Sequence, residues 1–294
     1  MSRARSLGWG VAVMIVLAAI GAQSADAGGA FDTYQTLGGR RLSPAPLVPV
    51  SLPPSLGALA TSPLDYAPEP HGGYYLSFKN LATDRAHLAL LLIKRNAMKS
   101  LSAERRTVRS IAGVRATHVR GHAGVLLTYR FEPLVALVWN EDRRLYEVAT
   151  GTPRTISLGQ LRAAAARLEH LLGAFYGHYE APDRANQEVE TVVTDNTITI
   201  HLGWSAPCVD PSVGYPLTDE GAEVKLWNVP VKAGAFSLAP FSVNSANPSN
   251  WSLSLSGTAS PSGGQITFQT FADKSSEHCA IGPLSIDFRP IPGA

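Results

Sequence analysis

Cysteine is nearly absent: the 294 residues hold two, Cys208 and Cys279. Long apolar runs are also missing after the first 22 residues, so no later segment has the length of a membrane-spanning helix. No cysteine follows that first apolar run, which excludes a bacterial lipoprotein anchor. Catalytic and metal-binding signatures are missing too. Gly203-Trp204-Ser205-Ala206-Pro207 lacks the second glycine and the following helix that a nucleophile elbow requires. His118 and His122 have the spacing of a zinc pair, but only a helix would bring them together, and the glycines and β-branched residues around them read as strand and turn. Asp219, Glu220 and Glu223 around Gly221 fit no calcium loop and read as a solvated turn. These absences imply no catalytic residue, no metal and no cofactor.

What is present begins with an export signal. Arg3 and Arg5, an apolar core over 9–22 and the small residues Ala25 and Ala27 make residues 1–27 a secretory signal peptide, cleaved after Ala27. In an exported protein an even cysteine count implies a disulfide. Joining Cys208 to Cys279 closes a loop of about 70 residues, for which the chain-entropy model gives about 4 kcal/mol. The net charge of +2 hides an asymmetry. Residues 30–181 carry 18 Lys/Arg against 11 Asp/Glu, and 182–294 carry 5 against 11. Opposite signs in the two parts point to two domains, which either dock or serve separate partners.

The clearest local signal is residues 135–175. Val135 to Trp139 is an apolar run, Asn140 to Arg143 a polar turn of about four residues, and Leu145, Tyr146 and Val148 a second strand. Ser157 and Gln160 then have capping-box spacing. Leu158, Leu161, Ala165, Leu168, Leu172 and Phe175 recur at threes and fours, predicting one long helix that ends near Gly173 and Gly177. Shorter strands are expected at 74–78, 88–93, 114–119 and 125–129. The expected N-terminal fold is therefore α+β over 74–178, an antiparallel curved sheet with one long helix on a face. Before it, residues 28–73 are Pro-rich and read as an extended spacer or a strip over the first domain. Residues 179–188 read as a linker. Beyond it, Ser, Thr and Gly punctuate six or seven short strands over 189–294, the pattern of an all-β sandwich or jelly roll.

The succession VRGHAGVLL, LVALVW, RLYEVAT and Ser-Leu-x-x-Leu resembles exported bacterial domains of the LolA/RseB-like type over about residues 114–172. That resemblance implies a non-catalytic curved sheet that holds lipid or a partner polypeptide. The C-terminal part resembles small secreted bacterial β-sandwich modules closed by one disulfide.

Function is carried by one further feature, the basic stretch 94–120. Arg95, Lys99, Arg105, Arg106, Arg109, Arg115 and Arg120 are its candidate anion- or partner-binding residues. No aromatic residues interleave them, so nucleic acid is excluded as a partner. The expected partner is an envelope polymer, a membrane surface or another exported protein. The leading expectation is a secreted, non-enzymatic envelope-binding protein. A second is a carrier of an apolar ligand between sheet and helix, with Leu90, Leu92, Leu126, Val138 and Leu168 as candidate lining. A third is a wall-polymer hydrolase, which needs two carboxylates or a Ser/His pair meeting in a cleft.

Overall fold

Strand follows strand through a computed structural model that describes residues 30–50, 63–69, 72–78, 91–96, 100–131, 134–150, 156–181, 184–210, 212–214, 216–244, 250–274 and 277–291. The chain separates into two compact units. One comprises Met1–Thr33 and Val48–Leu168, the other Tyr34–Leu47 and Glu169–Ala294. The signal-peptide expectation, residues 1–27, lies outside the described residues.

In the first unit β2 (Pro63–Glu69), β3 (Gly73–Phe78), β4 (Leu91–Asn96), β5 (Ala112–Val119), β6 (His122–Tyr129), β7 (Val135–Glu141) and β8 (Arg144–Thr150) form one antiparallel sheet. Their order is β2-β3-β4-β8-β7-β6-β5. Helix α2 (Leu101–Val108) packs on one face through Val108, which joins Ala112, Val125, Leu127, Ala136, Val138 and Leu145 in a core. Its N-terminal amides are satisfied by the Ser100 hydroxyl, 3.2 Å from Ala103 N, and by Asn140 Oδ1, 2.9 Å from Leu101 N. The opposite face buries Tyr74, Leu76, Ile93, Leu137, Trp139, Tyr146 and Val148. Trp139 and Tyr146 are direct cross-strand neighbours and stack at 5.7 Å. The β7–β8 loop is shorter than expected. Asn140 and Glu141 stay in the ladder, leaving only Asp142 (φ 50) and Arg143 (φ 61) to turn. Two left-handed residues match the twist of a two-residue hairpin.

The single long helix is overturned. Helix α3 covers only Leu158–Ala166, and Leu168–Ala181 is strand β9. The capping box is present as read, with Ser157 Oγ 3.3 Å from Gln160 N and Gln160 Oε1 2.6 Å from Ser157 N. What fails is the continuation. A spacing of threes and fours is a local preference, whereas residues 171–181 pair with β10 (Arg184–Thr194) along nearly their whole length. Gly173 and Gly177 also make a helix there poorer by about 1 kcal/mol each. The α+β layer with one long helix is thus replaced by a seven-stranded sheet carrying two short helices. The expected linker, 179–188, holds the ends of β9 and β10, and the units part at Leu168.

Neither is the Pro-rich segment extended throughout. Ala30–Gly39 is helix α1, and Leu47–Pro49 forms a short strand, β1. Leu37 and Leu47 are fully buried. Gly38 lies so close to β9 that a β-carbon on it would sit 2.9 Å from Ala174 N.

From Glu169 onward the described residues of the second unit form strands, and these are longer and more continuous than expected. β11 (Thr197–Val209), β12 (Pro216–Pro230), β13 (Ala235–Asn244), β14 (Asn250–Ser260), β15 (Gly263–Lys274) and β16 (Glu277–Pro290) join β9 and β10 in a single sheet. Four of its strands close on themselves. β9 pairs β10, β10 pairs β11, β11 pairs β16 at Cys208↔Cys279, and β16 returns to β9 at Arg289↔Tyr176. The expected sandwich or jelly roll of short strands gives way to this closed ring with three further strands, β15-β14-β13, continuing from β16, and β12 on the far side of β11. Trp251, Leu253 and Leu255, and Ile266, Phe268 and Thr270, alternate along their strands, and all six side chains are buried. Trp204 meets Trp251 edge-on at 5.8 Å in that core. Cys208 and Cys279 are disulfide-bonded as expected, on directly opposed residues.

Candidate functional site

The basic stretch does not form one surface. Arg95 is fully buried, its Nε 2.8 Å from Gly72 O and its guanidinium 5.2 Å from the Tyr74 ring, so it fixes strands rather than meeting a partner. Lys99 lies outside the described residues. Arg105 is half-buried and donates to Gly124 O at 3.4 Å.

Arg120 is a structural residue as well. It sits in the β5–β6 turn at φ 51, beside Gly121. Its guanidinium reaches Glu141 Oε2 at 3.0 Å and caps α3 by donating to Ala165 O at 3.3 Å and to Leu168 O. Trp139 Nε1 donates to the same Glu141 oxygen at 2.7 Å. Burial alone would raise the Glu141 pKa. The hydrogen bonds from Arg120 and Trp139, with the charges of Arg120 and His122, outweigh it and hold the carboxyl below the usual range. Sequence reading missed this network. The signal was there: Trp139 and Glu141 are two apart on a strand and so share a face.

The candidate guanidinium groups that stay exposed lie on β5 or just before it in the chain. Among the described residues β5 pairs only with β6, which leaves its other backbone edge open. Arg106 and Arg109, near the end of α2, are exposed just before it, and Arg115 is exposed on it. From the far side of the sheet Arg162 of α3, also exposed, reaches Thr117 Oγ1 at 3.3 Å. Of the seven candidate residues, three therefore remain available to an anion, and Arg162 joins them.

Among the described residues the apolar candidates Leu126 and Val138 do not share a face. Leu90 and the Leu92 side chain lie outside what is described. Leu126 opposes Leu137, whereas Val138 opposes Val125, so Leu126 and Val138 point to opposite faces. Val138 is filled core under α2, and Leu168 is buried beyond the end of α3. Leu126 itself is half-buried.

In the second unit the outward face of β9–β12 carries acid. The register aligns His178, Glu188, Gly203 and Glu223 in one row and Tyr176, Glu190, His201 and Lys225 in the next but one. His201 lies between two carboxylates, Nδ1 3.1 Å from Glu190 and Nε2 3.4 Å from Glu223. Tyr176 stacks on His178, and burial with the nearby Glu188 raises the Tyr176 pKa. Gly203 and Gly221 leave a hollow of 360 Å³ between Glu188 and Glu223. Glu223 is 78% exposed, so the hollow does not exclude water from a reacting bond.

The remaining sequence candidates fall elsewhere. Glu220 and Glu223 sit within strand β12, not in a turn. Ser205 is mid-strand on β11, its N–H and C=O both bonded by the Gln187 side chain at 3.1 and 2.8 Å. His118 and His122 lie on the two strands of a hairpin, one residue out of register. Apart from these candidates, His170 on β9 lies 2.8 Å from Asp195.

Among the described residues no helix is long and apolar enough to cross a membrane. Comparison with known family models, with curated proteins and with solved structures finds no match to this chain.

Proposed function

We propose that this chain is an exported, non-enzymatic binding protein of the cell envelope, which engages an anionic partner through the rim of β5. The observation that carries the reading is that Arg106 and Arg109 just before β5, Arg115 on it and Arg162 in contact with it are all exposed, on a strand with one open edge. Guanidinium groups suit carboxylate and phosphate because their donors form a planar fork. The open edge adds backbone N–H and C=O groups that an extended polymer or peptide can use. Export by residues 1–27 accords with the Cys208–Cys279 disulfide, which belongs to an oxidising compartment.

The test is retention on vesicles containing anionic lipid and on polyanionic wall material. The intact protein should be held at low salt and released as salt rises, because exposed charge pairs are screened beyond about 10 Å at 0.1 M. Arg106→Ala, Arg109→Ala and Arg115→Ala together should lower retention about tenfold, some 1.4 kcal/mol. Unchanged retention in that variant would overturn the reading.

A further inference from the structure

We infer that the anionic partner of the β5 rim is a second copy of the same chain, which presents the acidic outward face of β10–β12. This rests on the reading of the β5 rim as an anion-binding surface and names what binds there.

The argument is one of charge. Val48–Leu168 carries 16 Lys/Arg and 8 Asp/Glu, whereas Glu169–Ala294 carries 5 and 13. Part of each excess lies on one surface. The basic one includes the exposed side chains that flank β5. The acidic one includes Glu188, Glu190 and Glu223, which the strand register places on a single face with Lys225, and with Arg289 opposite Tyr176 at its border. Like-signed side chains so placed repel one another, and a surface of the opposite sign relieves that repulsion.

The acidic face also has apolar content suited to arginine. Tyr176 is 39% exposed and Trp227 38%. Guanidinium groups pack on such rings as well as pairing with carboxylates. Both surfaces end at a strand edge. Among the described residues β12 pairs with β11, as β5 pairs with β6. Two edges of opposite charge can approach where two edges of the same charge cannot. Because the two surfaces differ, the contact is heterologous: each copy offers one rim and one face, and association adds copies head to tail.

The experiment is a charge exchange in the full chain, followed by sedimentation or light scattering over a range of concentrations. The intact protein should gain mass with concentration at about 20 mM salt and return to a single chain near 500 mM. One variant carries R106E, R109E and R115E, the other E188K, E190K and E223K. The altered side chains project outward, and circular dichroism verifies that each variant is folded. Each variant alone should associate at least about tenfold more weakly. An equimolar mixture should recover association, since the acidic rim of one variant then meets the basic face of the other, and the two intact surfaces meet as before.

A mixture that stays monomeric would overturn the inference. So would a salt response independent of concentration, which places the attraction within one chain. Should the intact protein remain monomeric at every concentration yet show arginine-dependent retention on anionic vesicles, the inference fails and the proposed function stands. Absence of both fails both.

Discussion

Arg143 occupies a left-handed conformation that costs a non-glycine residue about 1–2 kcal/mol. It is exposed, and Asp142 before it tolerates the same region far better. Asp-Gly is a favoured sequence for this turn, so Arg143→Gly should raise stability by about 0.5–1 kcal/mol in chemical denaturation, after the entropy of a new glycine is subtracted. Glu141 offers a different test, in pH. Its folded carboxyl titrates below the ordinary range near 4.5, so its contribution is complete above that range and is lost as pH falls through the folded value. Glu141→Gln should cost about 1–3 kcal/mol at neutral pH and flatten the acid limb of the stability curve. A variant whose acid limb matches that of the unaltered protein would remove Glu141 from that account. Neither residue's importance was legible beforehand. The polar run Asn140-Glu141-Asp142-Arg143 reads as four turn residues, because nothing local reveals that Glu141 answers an arginine 21 positions earlier.

Among elements, β9 is where sequence and structure diverge most, and the reason is range. Helix α3 begins where Ser157 and Gln160 place it, since a capping box needs only four adjacent residues. Where the helix stops is decided by Arg120, which takes the carbonyls of Ala165 and Leu168, and by β10, which recruits the rest. The strand hairpins were legible for the same local reason as the cap. Val189 to Val193 and Thr197 to Leu202 pair across Asp195 and Asn196 as their alternation and turn residues imply. Gly177 shows why glycine stands in β9. A β-carbon there would come within 2.6 Å of Asp287 O on β16, next to the Arg289↔Tyr176 pair that returns β16 to β9. Gly177→Ala should destabilise the second unit by about 1–3 kcal/mol through overpacking. Fluorescence from Trp204 and Trp251, which lie in that core, provides the readout.

At the scale of the whole molecule, charge and cysteine count were the informative quantities. They mark two parts of opposite sign and one bond confined to the second, properties that need no knowledge of the fold. Which arginines face solvent was not legible, because burial of Arg95 depends on Gly72 and Tyr74 meeting it across strands. Cys208→Ser with Cys279→Ser should lower the stability of the second unit by about 2–5 kcal/mol. The Trp139 environment, in the first unit, should be unchanged at the same denaturant concentration.

The position of that bond also orders events in time. Cys208 is made 71 residues before the only thiol it can join, and β16, which bears Cys279, supplies two of the four seams of the ring. A chain made from its N-terminus therefore holds β9, β10 and β11 as an unclosed curl until β16 arrives. During that interval Cys208 is open to any passing oxidant or foreign thiol. Mixed disulfides caught on a pulse-labelled chain should accordingly map to Cys208 and disappear once Cys279 is there to pair with it.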